Sequence, residues 1–178
     1  MKTVASFYSV ELAFALIWLI VRIIVWIRQG KVIWKREALL LLMYVNIAVI
    51  IRFVLFPREL VDGNIQPLVI DTETAFAYRV NFIPFIHLSD VGTVRHIFWN
   101  VAGNAALFIP TGIILPIVYK QLDSCRKVLA AGATISLIIE IIQLPVAFRA
   151  SDIDDIILNT LGVLIGYGIY LAVKHIKR

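Results

Sequence analysis

Three aspartates fall within four residues at Ser151-Asp152-Ile153-Asp154-Asp155, at the mouth of an apolar run. A helix start explains one of them, because Ser or Asp caps free N–H groups and acids favour the positive dipole end. Three exceed that need. Glu140 and Gln143, three residues apart, lie in the preceding apolar run, with Ser136 one turn away on the Glu140 side. Asn100 and Asn104, four apart, share a face of another run, and Asn159 follows Asp155 by one turn. Arg52 and Glu11 sit in two earlier runs. Oxygen groups of this kind could hold a divalent cation, with Asp152, Asp154 and Asp155 beside Glu140 as the candidates. They could equally contact a cationic or hydrogen-bonding ligand. No histidine or cysteine pairs with them at ligand spacing, and His87 and His96 read as lone interfacial histidines. A buried carboxylate such as Glu140 could act as a general base. Gly-x-Ser-x-Gly, His-Glu-x-x-His and phosphate-binding glycine loops are all absent. The ordinary alternatives are structural: amides that join helices, an ion pair between Glu140 and Arg52, and an Arg22 that reaches to the membrane interface by itself.

The elements that carry these residues are long and apolar. The 178 residues are 61% hydrophobic and 16% charged, with a mean hydropathy of +0.90. A water-soluble globule has nearer a quarter charged residues, and here the apolar residues come in runs, not stripes. The net charge of +5 does not mark a nucleic-acid binder, since the basic residues flank apolar runs and do not interleave with aromatics. Cys125 is the only cysteine, so no internal disulfide forms. The first apolar run contains Glu11 and Arg22 and lacks a small-residue cleavage site, unlike a secretory signal peptide.

Five spans of bilayer-crossing length are expected: 7–27, 38–56, 97–119, 128–148 and 156–173. They define an all-α integral membrane bundle forming one domain over 1–178. In the last span Gly162 and Gly166 read as a close packing face, and in the third Pro110 and Pro116 predict a kink. Lysine and arginine concentrate at 28–36, 120–127 and 174–178, which places the carboxyl terminus in the cytoplasm and the amino terminus outside. The segment 57–95 is then an extracytoplasmic loop with structure or function of its own. Its apolar stretch 80–88, broken by Pro84, is too short to span and should lie at the interface. Counted at about 1.5 Å per residue, the polar groups of all five helices fall in the outer third of the bilayer. Ionisable groups at that depth face the bundle interior or a wet cavity.

One ordered set of motifs adds to this. Asn81-Phe82-Ile83-Pro84-Phe85 is followed by Asn100-Val101-Ala102-Gly103-Asn104 and Leu107-Phe108-Ile109-Pro110-Thr111-Gly112. Next come Ser136, Glu140 and Gln143, then Asp152-Ile153-Asp154-Asp155 with Asn159, Gly162 and Gly166. This closely resembles the VanZ-like family of bacterial membrane proteins across a core of 80–166. The resemblance implies a multi-pass protein of the bacterial plasma membrane, associated with resistance to teicoplanin-like lipoglycopeptides. It transfers no catalytic residues. The motif residues coincide with the outer polar cluster, so the candidate ligand-binding set is Asn81, Arg52, Asn100, Asn104, Ser136, Glu140, Gln143, Asp152, Asp154, Asp155 and Asn159.

Three functions fit. The first is a binding or shielding protein that engages a glycopeptide, or a lipid-linked cell-wall precursor, among the membrane lipids of the outer leaflet. The second is a membrane-embedded enzyme in which Glu140 is the base and Asp152, Asp154 and Asp155 bind a metal or activate water. The third is an envelope scaffold, in which the Gly162 and Gly166 face matters more than the acids.

Overall fold

The computed structural model describes residues 2–57, 60–71, 80–85, 94–147 and 149–176, with the side chains at 94–97 and 99 excepted. The chain forms two compact units, Met1–Ala77 with Pro145–Arg149, and Tyr78–Leu144 with Ala150–Arg178.

The first unit is built on two apolar helices, α1 (Phe7–Gln29) and α2 (Trp34–Leu55). Ser6 caps α1 by accepting the Ser9 N–H at 3.1 Å, and Gly30 closes it in a left-handed conformation that glycine adopts without strain. No residue of α1 is buried, and many of its apolar side chains, among them Leu12, Leu16, Ile20 and Ile24, are exposed, as a lipid-facing helix requires. Phe14 stacks on Tyr44 with ring centroids 5.0 Å apart, and Trp18 leans on the same tyrosine, which joins α1 to α2. Arg22 does not reach the interface alone. Its guanidinium holds Glu37 at the start of α2 through two hydrogen bonds, of 2.9 and 2.5 Å. A bidentate pair this enclosed holds its geometry better than an exposed one.

The start of the chain and the loop after α2 contribute strands. Here β1 (Lys2–Ala5) pairs antiparallel with β4 (Leu68–Asp71), while β2 (Leu60–Val61) and β3 (Asn64–Ile65) form a tight hairpin. Asp62 and Gly63 both take positive φ at its turn, the geometry that suits an Asp-Gly hairpin. Val146 bridges to Ile70, and Phe56, Leu68 and Val146 form a small buried core against Phe7 and Leu55. Arg149 donates to the carbonyls of Phe53 (2.9 Å) and Phe56 (2.5 Å), satisfying acceptors at the end of α2.

The second unit contains α3 (Val94–Val118), a 3-10 turn at Lys120–Leu122, α4 (Cys125–Gln143) and α5 (Ile153–Ile176). Two short strands, β5 (Val80–Asn81) and β6 (Ser151–Asp152), pair in parallel. The helix α3 continues through Pro110 and Pro116. It packs against α5 through the expected glycines. A Cβ at Gly162 would strike the Ala105 carbonyl, and one at Gly166 the Ile109 carbonyl. Gly112 of α3 meets the Val163 carbonyl in return, so the two backbones touch directly. At the far end Lys174 pairs with Asp123 at 2.5 Å and lies over the Tyr170 ring.

Four helices among the described residues are long and apolar enough to cross a membrane: α1, α2, the Asn100–Val118 part of α3, and α5. The expected span 128–148 corrects to α4, which begins at Cys125, ends at Gln143 and carries Arg126, Lys127 and Glu140. Leu144 keeps helical angles (φ −49°, ψ −45°), but the Pro145 that follows has no N–H with which to continue the helix. Beyond it the chain turns to strand-like bonding, with the Pro145 carbonyl accepting from Asp71 N–H and Ala147 N–H donating to the Val69 carbonyl, both at 2.8 Å.

Candidate functional site

The polar residues of the second unit converge where α4 ends and α5 begins. Glu140 is only 3% exposed, yet it lines an open groove of about 190 Å³. Its Oε2 accepts the Ser151 hydroxyl at 2.9 Å and the Asp152 N–H at 3.1 Å. Asp152 in turn accepts, at Oδ1, the Asn81 side-chain amide (3.0 Å) and the Asp154 N–H (2.9 Å). Thus Glu140, β6 and β5 form one continuous hydrogen-bonded chain. The groove walls are apolar: Val80 and Phe82 from the β5 segment, Leu137, Ile141 and Leu144 from α4, and Ile153 and Ile156 from α5.

The acids have separate tasks. Asp154 receives the Phe85 N–H on both carboxylate oxygens, at 2.9 and 3.0 Å. Phe85 has a φ of +62°, unfavourable for a bulky side chain, and that two-oxygen anchor holds it there. Asp155 accepts the Asn104 amide and so ties α5 to α3. Asn159 donates to the Ser136 hydroxyl at 2.9 Å between α5 and α4, with both residues buried. Those last two contacts are the interhelical amide bonds weighed from sequence.

The remaining predicted residues disperse. Gln143 is buried at the end of α4 but does not line the groove, and Asn100 is exposed although Asn104 is buried. Arg52 belongs to the first unit, where it donates to the Pro57 carbonyl at 3.0 Å and lies over the Phe7 and Phe53 rings. Glu140 makes its hydrogen bonds with Ser151 and Asp152, not with an arginine. His87 and the His96 side chain lie outside the described residues. Among the described residues, no group of three or more His, Cys, Asp or Glu side chains is placed to hold a metal ion. Sequence spacing overlooked the groove walls and the part of Ser151. Leu137 and Ile141 each stand one turn or less from Glu140, which was the available signal.

Apolar helices with a buried acidic cluster at one end define an α-helical membrane protein. The chain belongs to the VanZ/LLP1 family, which it matches over residues 38–174. Over 82 residues it is 37% identical to Protein VanZ of Enterococcus faecium, a stretch covering 46% of this chain and 50% of that one. The chain therefore spans about half the length of the curated relative it matches. No solved structure matches it.

Proposed function

We propose that the chain is a multi-pass protein of the bacterial plasma membrane that contributes to resistance against teicoplanin-like lipoglycopeptides. It crosses the membrane five times, α4 being the span outside the strictest apolar criterion, with the amino terminus outside and the carboxyl terminus in the cytoplasm. On this topology the groove opens in the outer half of the bilayer, where lipidated drugs and lipid-linked cell-wall precursors reside. It protects by binding one of these amphiphiles. The observation that carries the reading is the groove itself: seven apolar side chains around Glu140 and Asp152 match a molecule with an acyl chain and a polar head.

The test is to express the protein in a susceptible bacterium and measure the inhibitory concentration of teicoplanin beside that of a glycopeptide lacking the acyl chain. Wild type should raise the first more than the second, and Glu140→Ala should abolish the gain together with teicoplanin binding in nanodiscs. Full protection and undiminished binding in that variant would sink the proposal.

A second reading, a membrane-embedded enzyme, draws on the Ser151 hydroxyl lying 2.9 Å from the Glu140 carboxylate, the spacing of a nucleophile and its base. Mass spectrometry of teicoplanin and of cell-wall lipids after incubation with purified protein separates the two. A stable mass shift dependent on Ser151 would favour the enzyme.

A further inference from the structure

Hydrogen-bond accounting within the groove sets the chemistry of what can enter it. Among the described residues, four polar side chains line it: Asn81, Glu140, Ser151 and Asp152. Every donor among them is spent. The Asn81 amide gives its protons to Asp152 Oδ1 and to the Ile83 carbonyl, the latter at 3.2 Å. The Ser151 hydroxyl and the Asp152 N–H both go to Glu140 Oε2. Among the described residues, no lysine, arginine or histidine lines the groove. The spare capacity is entirely of the accepting kind. Glu140 uses Oε2 twice and Asp152 uses Oδ1 twice, while Glu140 Oε1 and Asp152 Oδ2 accept no hydrogen bond from the described residues. Glu140 is therefore a side chain more than nine-tenths buried that lines the groove and keeps one oxygen without a hydrogen bond from the described residues. Its hydrogen-bond partners are neutral, so a negative charge on Glu140 would be met by dipoles alone, a costly arrangement at membrane depth that a cationic head relieves.

We infer that the groove is a subsite for an amphiphile whose head donates hydrogen bonds and carries no negative charge, an alkyl ammonium being the best fit. This rests on the groove-binding reading above and narrows it. An ammonium carries three donors and no acceptor, which complements two free carboxylate oxygens. A phosphate or pyrophosphate head brings acceptors and negative charge to a site whose described residues offer no spare donor, and is rejected by like-charge repulsion. The amino group of a lipidated drug and the amino head of a membrane lipid share this chemistry.

The experiment uses the full chain in non-ionic detergent and measures displacement of radiolabelled decylammonium by decylammonium, decanol and decyl phosphate. Labelled decyl phosphate is run in parallel. Decylammonium should bind at least about tenfold more tightly than decyl phosphate, the magnitude of one charge-assisted hydrogen bond. Glu140→Gln with Asp152→Asn should remove that preference, since both substitutions keep shape and convert an acceptor into a donor. Leu137→Trp, at a position already 48% exposed, narrows the groove without touching its hydrogen bonds and should weaken all heads alike. Equal or tighter binding of decyl phosphate by the wild type overturns the inference but leaves groove binding standing. An ammonium preference that survives in the double variant overturns it in the same way. Absence of Leu137→Trp-sensitive binding by any head overturns both. Teicoplanin and an amino-headed phospholipid as competitors then identify the natural source: displacement by the drug alone, or by the lipid alone, assigns it.

Discussion

A single methyl group on α5 should either destabilise the protein or stabilise it, depending on which glycine receives it. At Gly162 the added Cβ falls against the backbone carbonyl of Ala105, an atom that cannot swing aside. Overpacking of this kind costs about 1–3 kcal/mol. Alanine also removes backbone freedom from the unfolded chain and regains about 0.5–1 kcal/mol of helix propensity. Gly162→Ala should therefore lose about 1 kcal/mol net, within a span of about 0–2.5 kcal/mol. Gly168 lies on the same helix with nothing within 4 Å of its Cβ position, so Gly168→Ala receives only the propensity gain. Because that gain is common to both, the difference between the two variants isolates the steric cost of separating α3 from α5. The measurement is reversible unfolding in bicelles, by steric trapping or by titration with SDS. Gly162→Ala and Gly166→Ala together should cost less than their sum, since one displacement of α3 relieves both clashes. Shifts of equal size and sign for Gly162→Ala and Gly168→Ala would refute direct backbone contact between these helices.

Three further outcomes follow from the structure. Arg22→Met should destabilise by about 1–3 kcal/mol, the cost of leaving a part-buried charged acceptor without its partner, since the Arg22 and Glu37 side chains are only 11% and 13% exposed. Arg22→Met with Glu37→Met should recover most of that loss in the same unfolding assay. Asp123 lies between spans, and the Lys174 ammonium hydrogen-bonded to it holds its carboxyl below the usual carboxylate range. A depressed folded-state value means stability present above the unfolded value of about 3.9 and lost as pH falls through the folded one. Thermal midpoints measured on acidification below about pH 5 should accordingly fall less steeply in Asp123→Asn than in wild type. Cys125, the only cysteine and exposed at the start of α4, should react with an impermeant maleimide in inside-out vesicles and not in intact cells. Labelling in intact cells would reverse the proposed orientation.

The helices were legible because a bilayer demands length and apolarity together, and few other structures supply both. Gly162 and Gly166 announced their packing face for a similar reason, since small residues four apart have little other use in lipid. Spacing also drew attention to Ser136, Glu140, Asn104, Asp155 and Asn159, each of which makes a side-chain hydrogen bond between elements of the second unit. It could not assign partners, because partners depend on helix rotation and on chain segments far apart in sequence. Asn100 illustrates the first limit: it shares a nominal face with Asn104 yet is exposed. The second limit accounts for β1 and β4. Four residues at the chain start pair with four more than sixty positions later, and neither stretch carries a strong strand pattern. Arg22 and Glu37 sat on opposite sides of a charged turn, so Arg22 passed for an interfacial residue. The early end of α4 was signalled by Pro145, but apolar residues continued past it and extended the apparent span.

The contacts of Asn81 with Asp152 and of Phe85 with Asp154 cross 71 and 69 residues of chain. All of α3 and α4 lies within the closed loop they make. During synthesis, the β5 segment leaves the ribosome long before its partner strand exists. The groove therefore comes into being only when the first turn of α5 has been made and inserted, and a nascent chain halted after α4 carries Glu140 without Ser151 or Asp152 to meet it. Closing a loop of this length costs little more entropy than closing one half as long, about 0.6 kcal/mol per doubling. What the order of translation imposes is timing: α1 to α4 are complete before the polar site is acquired.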